Sequence, residues 1–205
     1  MAAKLLNNFR KPQGVVGGIL ASVMNVGHGP MTRGVLERLR VRPEDAVLDI
    51  GCGGGGAVAL MAATGATVVG VDYSETSARV AARKNSRAIR EGRVRIQVAD
   101  VDSLPFAPDS FSLVTAFETV YFWKNIERNF QDICGLLRPG GRFAVAVEAY
   151  LEGGKKMHCP ALFNDLEMSL YSAEDLSGIA AGAGFAEIVT FKGGNGWLCV
   201  CCTKA

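Results

Sequence analysis

The sequence predicts an α/β protein built on a doubly wound, mostly parallel sheet. From Asp45 onward, short β-branched runs alternate with stretches of helical periodicity. The first of these runs ends in the turn 51–56, where five of six residues are glycine. The chain finishes with two β runs, 185–192 and 197–204, joined by Gly-Gly-Asn-Gly. Strands joined by such a tight turn are antiparallel neighbours, so the sheet is predicted to begin parallel and to close with a hairpin.

The first half of the chain shows the alternation most clearly. Residues 46–51 and 67–72 are β-branched runs, separated by an alanine-rich helical stretch at 57–63. Together they predict one βαβ unit with a right-handed crossover. Ser74 is a favourable helix cap, and the helix that it begins is expected to run to about Glu91, where Gly92 would end it.

The second half supplies the remaining elements. The third to fifth strands are predicted at 93–100, 111–118 and 142–150, with a helix at 126–137 between the last two. A further helix begins near the capping sequence at 172–175, and Gly182 and Gly184 lie near its end.

Length and composition predict a single domain over 1–205. With 205 residues, 49% of them hydrophobic, the chain can bury a sizeable core. Residues 1–43 are expected to form a helical cap over the active site, and 44–205 the core. The net charge of +2 supplies no long-range field for nucleic acid or a membrane surface. The composition therefore favours a small-molecule partner, and no nucleic acid.

The N-terminal region resembles a secretory signal, because basic residues precede the apolar run 14–24. The run contains three glycines and is followed by no clear cleavage site, so it is interpreted as an amphipathic cap. No apolar stretch reaches the roughly 18 residues that span a bilayer, which predicts no stable membrane insertion. The six cysteines are scattered without zinc spacing. They are interpreted as reduced core thiols in a cytoplasmic protein without a metal site.

Two cofactor classes fit the glycine turn. Gly51, Gly53 and Gly56 satisfy GxGxxG, and Asp72 follows at the end of the second strand, as in dinucleotide-binding proteins such as NAD(P) oxidoreductases. Asp49, with Gly51, Gly53 and Gly55, equally satisfies the D/ExGxGxG pattern of S-adenosylmethionine enzymes. The glycines alone leave both alternatives open.

Four further segments resemble class I S-adenosylmethionine-dependent methyltransferases of the small-molecule branch that includes quinone-biosynthesis enzymes. They are 69–78, 99–118, 136–145 and the closing hairpin. The resemblance implies a Rossmann-like seven-stranded sheet of order 3-2-1-4-5-7-6, with S-adenosyl-L-methionine as cofactor and S-adenosyl-L-homocysteine as product. A dinucleotide dehydrogenase would normally add a second nucleotide-binding half and a substrate domain. That alternative and a non-catalytic S-adenosylmethionine-binding module stay open at this point.

The resemblance also assigns cofactor-binding residues, all at the carboxyl ends of parallel strands, where open α/β sheets bind ligands. Asp72 would accept the ribose hydroxyls, with Tyr73 beside the adenine, and Asp100 and Val101 would receive the adenine edge. The residues implied to hold the methionine part are Asp49, Gly51, Cys52 and Gly53, and Phe117 completes the cofactor set.

The acceptor side is expected at the end of the fourth strand. Glu118 stands there, and Phe117, Tyr121, Phe122 and Trp123 are predicted to wall an apolar pocket. The candidate catalytic residues are Glu118, Tyr121 and His28, the last lying between glycines in the cap. The alternatives are a helix-capping Glu118, aromatics that pack in the core, and a His28 that only forms a turn.

The predicted chemistry is an in-line displacement at the sulfonium methyl. A general base is needed only where the acceptor must lose a proton. The acceptor itself is expected to be a small molecule, and the protein a monomer or homodimer.

Overall fold

The computed structural model of the chain describes residues 29–157, 168–194 and 196–205. Its centre is a seven-stranded sheet, and a separate two-stranded hairpin lies beside it. The strands are β1 (Ala46–Ile50), β2 (Thr67–Asp72), β3 (Val94–Val98), β4 (Phe111–Phe117), β5 (Leu137–Val147), β6 (Tyr150–Glu152), β7 (Lys155–Met157), β8 (Phe185–Lys192) and β9 (Leu198–Lys204).

The order of the main sheet is β3-β2-β1-β4-β5-β9-β8. Strands β1 to β5 are mutually parallel, and β9 lies antiparallel to both β5 and β8. With the β6–β7 hairpin set aside, this is the predicted order 3-2-1-4-5-7-6, so the predicted fold class is confirmed. The hairpin itself, which follows β5 directly, was not predicted.

Helices cover both faces of the sheet. They are α1 (Gly29–Leu39), α2 (Gly56–Ala63), α3 (Glu75–Lys84), α4 (Ser86–Arg90), α5 (Ile126–Leu136) and α6 (Ala173–Gly182). Helices α1 to α4 contribute to the hydrophobic cluster on one face, and α5 and α6 to the cluster on the other. Because side chains alternate along a strand, Leu48 and Ile50 of β1 join the α5–α6 cluster, while Val47 faces the other way.

The long helix predicted after Ser74 is interrupted at Asn85. Its start is as predicted, since the Ser74 hydroxyl accepts a hydrogen bond from the Ser77 amide. The Asn85 side chain is buried and donates to the carbonyl oxygens of Gly55 and Ala81, at 3.1 and 2.9 Å. The side-chain amide of Asn85, at the interruption, therefore binds the backbone of the glycine turn.

The glycine turn between β1 and α2 packs too tightly for side chains at several positions. A Cβ atom on Gly51 would lie 2.3 Å from Thr119 Oγ1, and Gly51 also has a positive φ of 70°. Gly53 has a φ of 53°, but a Cβ atom there would meet nothing within 4 Å. Glycine is thus required at position 51 because the loop after β4 approaches it closely, whereas Gly53 borders open space.

Part of the predicted N-terminal cap lies outside the described residues. Helix α1 falls within the predicted cap region 1–43, and its buried residues Met31 and Val35 pack against the core. The interpretation of 14–24 as an amphipathic cap, and the candidate His28, concern residues that the structure does not describe. Among the helices of the described ranges, none combines the length and hydropathy that crossing a bilayer requires.

Gly51→Ala should lower the free energy of unfolding by about 2–4 kcal/mol, because it adds a strained φ and a clash with Thr119. Gly53→Ala is the matched control: it adds a similar strain without the clash and should cost only about 1–2 kcal/mol. Urea unfolding of both variants measures the difference. Equal losses would contradict the close approach of Gly51 to Thr119.

Candidate active site

A cavity of about 540 Å³ opens at the carboxyl ends of the parallel strands. It lies beside the glycine turn and is bordered by residues that follow β1, β2, β3 and β4. Every residue predicted to bind the cofactor lines it: Asp49, Gly51, Cys52, Gly53, Asp72, Tyr73, Asp100, Val101 and Phe117. Residues that are distant in sequence are therefore gathered around one space, as the position of the strand ends predicts.

Asp72 is a buried carboxylate that binds two backbone amides. Its Oδ2 accepts a hydrogen bond from the Gly53 N–H at 2.9 Å, and its Oδ1 accepts one from the Ser74 N–H at 2.9 Å. Burial raises the pKa of Asp72, while these two hydrogen bonds act against the rise. The side chain thus fixes the glycine turn to the end of β2 and also presents a carboxylate to the cavity.

Asp49 is a second buried carboxylate, on β1. Its Oδ1 accepts a hydrogen bond of 2.7 Å from the Thr115 hydroxyl, and the two residues are partners in the β1–β4 register. Burial raises the pKa of Asp49 to about 7; the Thr115 hydrogen bond opposes this rise, and the nearby Asp72 carboxylate adds to it. Ionised Asp49 is therefore disfavoured unless a positive charge lies nearby.

Cys52 borders the cavity, yet its thiol lies against the core. The residue is 6% exposed, and a Cβ atom on Gly70 would lie 3.1 Å from its sulfur. Burial raises the pKa of the Cys52 thiol well above its usual range, and the two aspartates add to the rise. Cys52 is consequently a neutral packing group whose contribution to a ligand would come from its backbone.

The loop after β3 forms part of the cavity wall. Asp100 caps the 3-10 turn Val101–Ser103, since its Oδ1 accepts a hydrogen bond from the Asp102 N–H at 3.1 Å. Asp102 also lines the cavity, and its Oδ1 accepts a hydrogen bond of 2.8 Å from the amide group of Asn129 on α5. Asp102 and Asn129 were not singled out from the sequence.

Glu118 stands at the cavity in a strained conformation. Its φ is 56°, in the left-handed region that non-glycine residues rarely adopt. Its Oε1 accepts hydrogen bonds from the Tyr121 hydroxyl, at 2.9 Å, and from the Glu148 N–H. Its own N–H donates to the Ala146 carbonyl at 2.9 Å. The side chain is thereby held to the end of β5.

Tyr121 lies behind Glu118 and does not line the cavity formed by the described residues. It is 4% exposed, and its hydroxyl accepts a hydrogen bond from the Ala149 N–H at 3.2 Å. Burial, followed by the Glu118 carboxylate, raises the pKa of Tyr121 well above its usual range, so it remains a donor. The expectation that Tyr121 walls the pocket is therefore wrong, whereas Phe117, Phe122 and Trp123 do line it.

The cavity is predominantly acidic. Five carboxylate side chains line it, together with three cationic ones. The carboxylates are Asp49, Asp72, Asp100, Asp102 and Glu118, and the cations are Arg33, Lys84 and Lys124. Since opposite charges attract, and more strongly away from bulk water, the cavity favours a positively charged ligand.

The third catalytic candidate, His28, falls outside the described residues. Within the described ranges, no three His, Cys, Asp or Glu side chains gather in a way that could hold a metal ion. Thr115 was missed, although a polar residue within a buried strand signals a buried partner. Thr119 and Asn85 act on the glycine turn through contacts that the sequence does not reveal.

Replacing Asp49 should change the pH dependence of stability. Its pKa is about 7 in the folded protein and about 4 in an unfolded chain, so folding favours the protonated form. Its contribution to the free energy of unfolding is present below about pH 4 and is lost as pH rises through about 7. Asp49→Asn keeps an acceptor for Thr115 and should lose less stability between pH 5 and pH 8.

The measurement is urea unfolding of both proteins at the two pH values. We expect the wild type to lose on the order of 1–3 kcal/mol more than the Asp49→Asn variant between pH 5 and pH 8. Other titrating groups are common to both proteins and cancel in the comparison. Parallel pH profiles would show that Asp49 does not titrate in this range.

A methyltransferase domain family matches residues 48–145. The chain is 38% identical over 117 residues to methyltransferase GfsG of Streptomyces halstedii, covering 57% of this chain and 42% of that protein. It is 30% identical over 166 residues to O-methyltransferase rstn1 of Aspergillus nomiae, covering 77% of this chain and 72% of the relative. The chain spans 42–62% of the length of GfsG and of three O-methyltransferase relatives.

Solved structures share the fold. Phosphoethanolamine N-methyltransferase 2 of Haemonchus contortus, in complex with phosphomonomethylethanolamine and S-adenosylhomocysteine, superposes with a TM-score of 0.79 at 20% identity. The match covers 98% of this chain and 60% of that one. With the sheet order, the acidic cavity and these relatives together, the chain belongs to the methyltransferase domain family of the class I, S-adenosylmethionine-dependent type.

Proposed function

We propose that this chain transfers a methyl group from S-adenosylmethionine to a hydroxyl group of a small molecule. The charge of the cavity carries the proposal, because five carboxylates and three cations surround it. S-adenosylmethionine bears a positive sulfonium and fits such a field, whereas the pyrophosphate of NAD(P) would be repelled by it. The named methyltransferase relatives support the same choice over a nicotinamide oxidoreductase.

The cofactor would lie along the strand ends with its ribose at Asp72. Each carboxylate oxygen can accept more than one hydrogen bond, so Asp72 can keep Gly53 and Ser74 and still receive ribose hydroxyls. The methionine part would pass Gly51 and Gly53, where the missing side chain of Gly53 leaves open space. Asp100 and Val101 would meet the adenine edge, and Tyr73 would border the adenine ring. Phe117 would border the sulfonium.

Asp49 would act on the cofactor through charge. The sulfonium cation favours the ionised form of a nearby carboxylate, so binding would release a proton from Asp49 at pH values near 7. A demethylated cofactor has a neutral sulfur and loses this attraction. The product is therefore held less strongly by Asp49 than the substrate is, which assists product release.

The chemical step would be an in-line displacement. S-adenosylmethionine would supply the activated methyl group: an acceptor oxygen would take the methyl carbon, and the electron pair of the broken carbon–sulfur bond would stay on sulfur. The acceptor proton would pass to the Glu118 carboxylate, which borders the cavity at the end of β4. Tyr121 is a positioning residue here, since its hydroxyl contacts Glu118 and lies behind it.

A small hydroxylated acceptor fits the walls beside Glu118. Phe122, which is half-buried, offers apolar surface there, and the largely buried Trp123 borders the cavity behind the core. Several relatives of the chain are O-methyltransferases. We also infer a cytoplasmic protein that acts as a monomer or homodimer without nucleic acid, because the described cysteines are free and the net charge is +2.

Titration calorimetry tests the cofactor assignment. The wild-type protein should bind S-adenosylhomocysteine and give no signal with NAD; the reverse would refute the proposed function. Asp72→Asn should weaken S-adenosylhomocysteine binding by about 1–3 kcal/mol, because a charged acceptor of the ribose hydroxyls is lost. The 2′,3′-dideoxy analogue of S-adenosylhomocysteine is the control ligand. Asp72→Asn should weaken binding of this analogue less than binding of S-adenosylhomocysteine, because the analogue has no ribose hydroxyls and senses only the change in the glycine turn. Equal weakening of both ligands would show that Asp72 acts only by holding the turn.

Glu118→Gln tests the acceptor side. The variant keeps the shape and an acceptor for Tyr121 but removes the base, so turnover should fall by about 10²–10⁴-fold. Affinity for S-adenosylhomocysteine should be unchanged. The measurement is S-adenosylhomocysteine release with a hydroxylated acceptor found by screening the wild type. Undiminished turnover at pH 7 would show that Glu118 neither takes the proton nor holds the acceptor.

A further inference from the structure

One polar network joins helix α5 to the loop after β3, which lines the cavity. The Asn129 Nδ2 donates to Asp102 Oδ1 at 2.8 Å, and the Asp102 N–H donates to Asp100 Oδ1 at 3.1 Å. The Ser103 N–H donates to the Asp100 carbonyl at 3.0 Å, which closes the 3-10 turn. Asp100 thus holds the turn through hydrogen bonds from its own residues, and Asn129 holds it from helix α5 through Asp102.

Asn129 is an unfavourable residue for its position if stability alone is considered. It is fully buried, within the first turns of α5, where asparagine is a weak helix former. Among the described residues, no group donates a hydrogen bond to its Oδ1. A buried carbonyl without a partner costs stability, and leucine at this position would avoid that cost.

The partner of Asn129 lies at the surface of the cavity and not in the core. Asp102 is exposed, and a surface carboxylate needs no buried amide to satisfy it, because water can do so. What the contact does fix is the orientation of the turn that carries Val101 and follows Asp100. Asn125 adds little, since its Nδ2 is 3.5 Å from Asp102 Oδ1.

We propose that Asn129 is a positioning residue for recognition of the purine ring. Acting through Asp102, it holds the Val101–Ser103 turn so that the Asp100 carboxylate accepts from the 6-amino group and the Val101 N–H donates to the ring edge. The proposal rests on the proposed cofactor site. It makes selection for a 6-amino purine depend on a residue that touches neither the cofactor nor the acceptor.

The experiment compares Asn129→Leu with the wild type. Calorimetry gives the affinities for S-adenosylhomocysteine and for its 6-deamino analogue, which keeps the acceptor N1 but has no 6-amino group to donate to Asp100. Affinity for S-adenosylhomocysteine should fall about tenfold, because the acceptor for the 6-amino group loses its orientation. Affinity for the 6-deamino analogue should change less than about twofold, since that ligand donates nothing to the oriented carboxylate. The melting temperature should be equal or higher.

Two further variants keep the outcome decisive. Asp102→Ala removes the same contact from the exposed side and should reproduce the loss of purine selectivity. Asn125→Ala is the matched control and should leave both affinities unchanged. Equal weakening of both ligands, or unchanged selectivity in Asn129→Leu and Asp102→Ala, would overturn the proposal. Absence of S-adenosylhomocysteine binding by the wild type would instead refute the proposed function beneath it.

Discussion

The site depends on the two hydrogen bonds that Asp72 accepts. One comes from the Gly53 amide in the turn after β1 and one from the Ser74 amide at the start of α3, so a single carboxylate joins two neighbouring strand ends. Backbone amides that are withdrawn from water need acceptors. Within the turn, the Gly55 N–H donates to the Cys52 carbonyl at 2.8 Å, and the Cys52 N–H donates to the Val71 carbonyl of β2 at 2.9 Å. The Gly53 N–H is satisfied by Asp72, which adds a side-chain link between the turn and the end of β2. The carboxylate therefore builds the cavity as well as lining it.

The same burial that lets Asp72 shape the turn makes its charge unfavourable. Asp49 shares this condition, and Thr115 relieves it only in part. Burial raises the pKa values of both carboxyl groups, Asp49 and Asp72, so their ionised forms are disfavoured unless a cation lies nearby. A sulfonium beside these carboxylates would favour their ionised forms. The anionic pyrophosphate of a dinucleotide would be repelled by the same carboxylates, so charge separates the two cofactors where the glycines do not.

The sequence was sufficient for the features that depend on local periodicity. The alternation of strands and helices predicts a parallel α/β sheet that closes with a hairpin. The full strand order and the individual cofactor residues came from the resemblance to methyltransferases, and they are consistent with ligand binding at the strand ends. Features created by long-range side-chain contacts were missed. Asn85 interrupts a helix because it binds Gly55, 30 residues away, and Asn129 binds Asp102 across 27 residues. Tyr121 was misplaced because its hydroxyl binds Glu118 and the Ala149 N–H, the latter 28 residues away, and these contacts hold the ring in the core. No pattern in one chain encodes which partner such a side chain meets.

The two halves of the cavity are held by separate parts of the fold. Asp72 and Asn85 fix the glycine turn from β2 and α3, whereas Glu118 and Tyr121 fix the end of β4 against the amides of Glu148 and Ala149 after β5. The halves meet at Gly51, which packs against Thr119. Substitutions at Phe122 or Trp123 can therefore reshape the acceptor side while the hydrogen bonds of the cofactor side stay intact. A fold arranged in this way can keep one methyl donor and change its acceptor, provided that the contact between Gly51 and Thr119 is preserved.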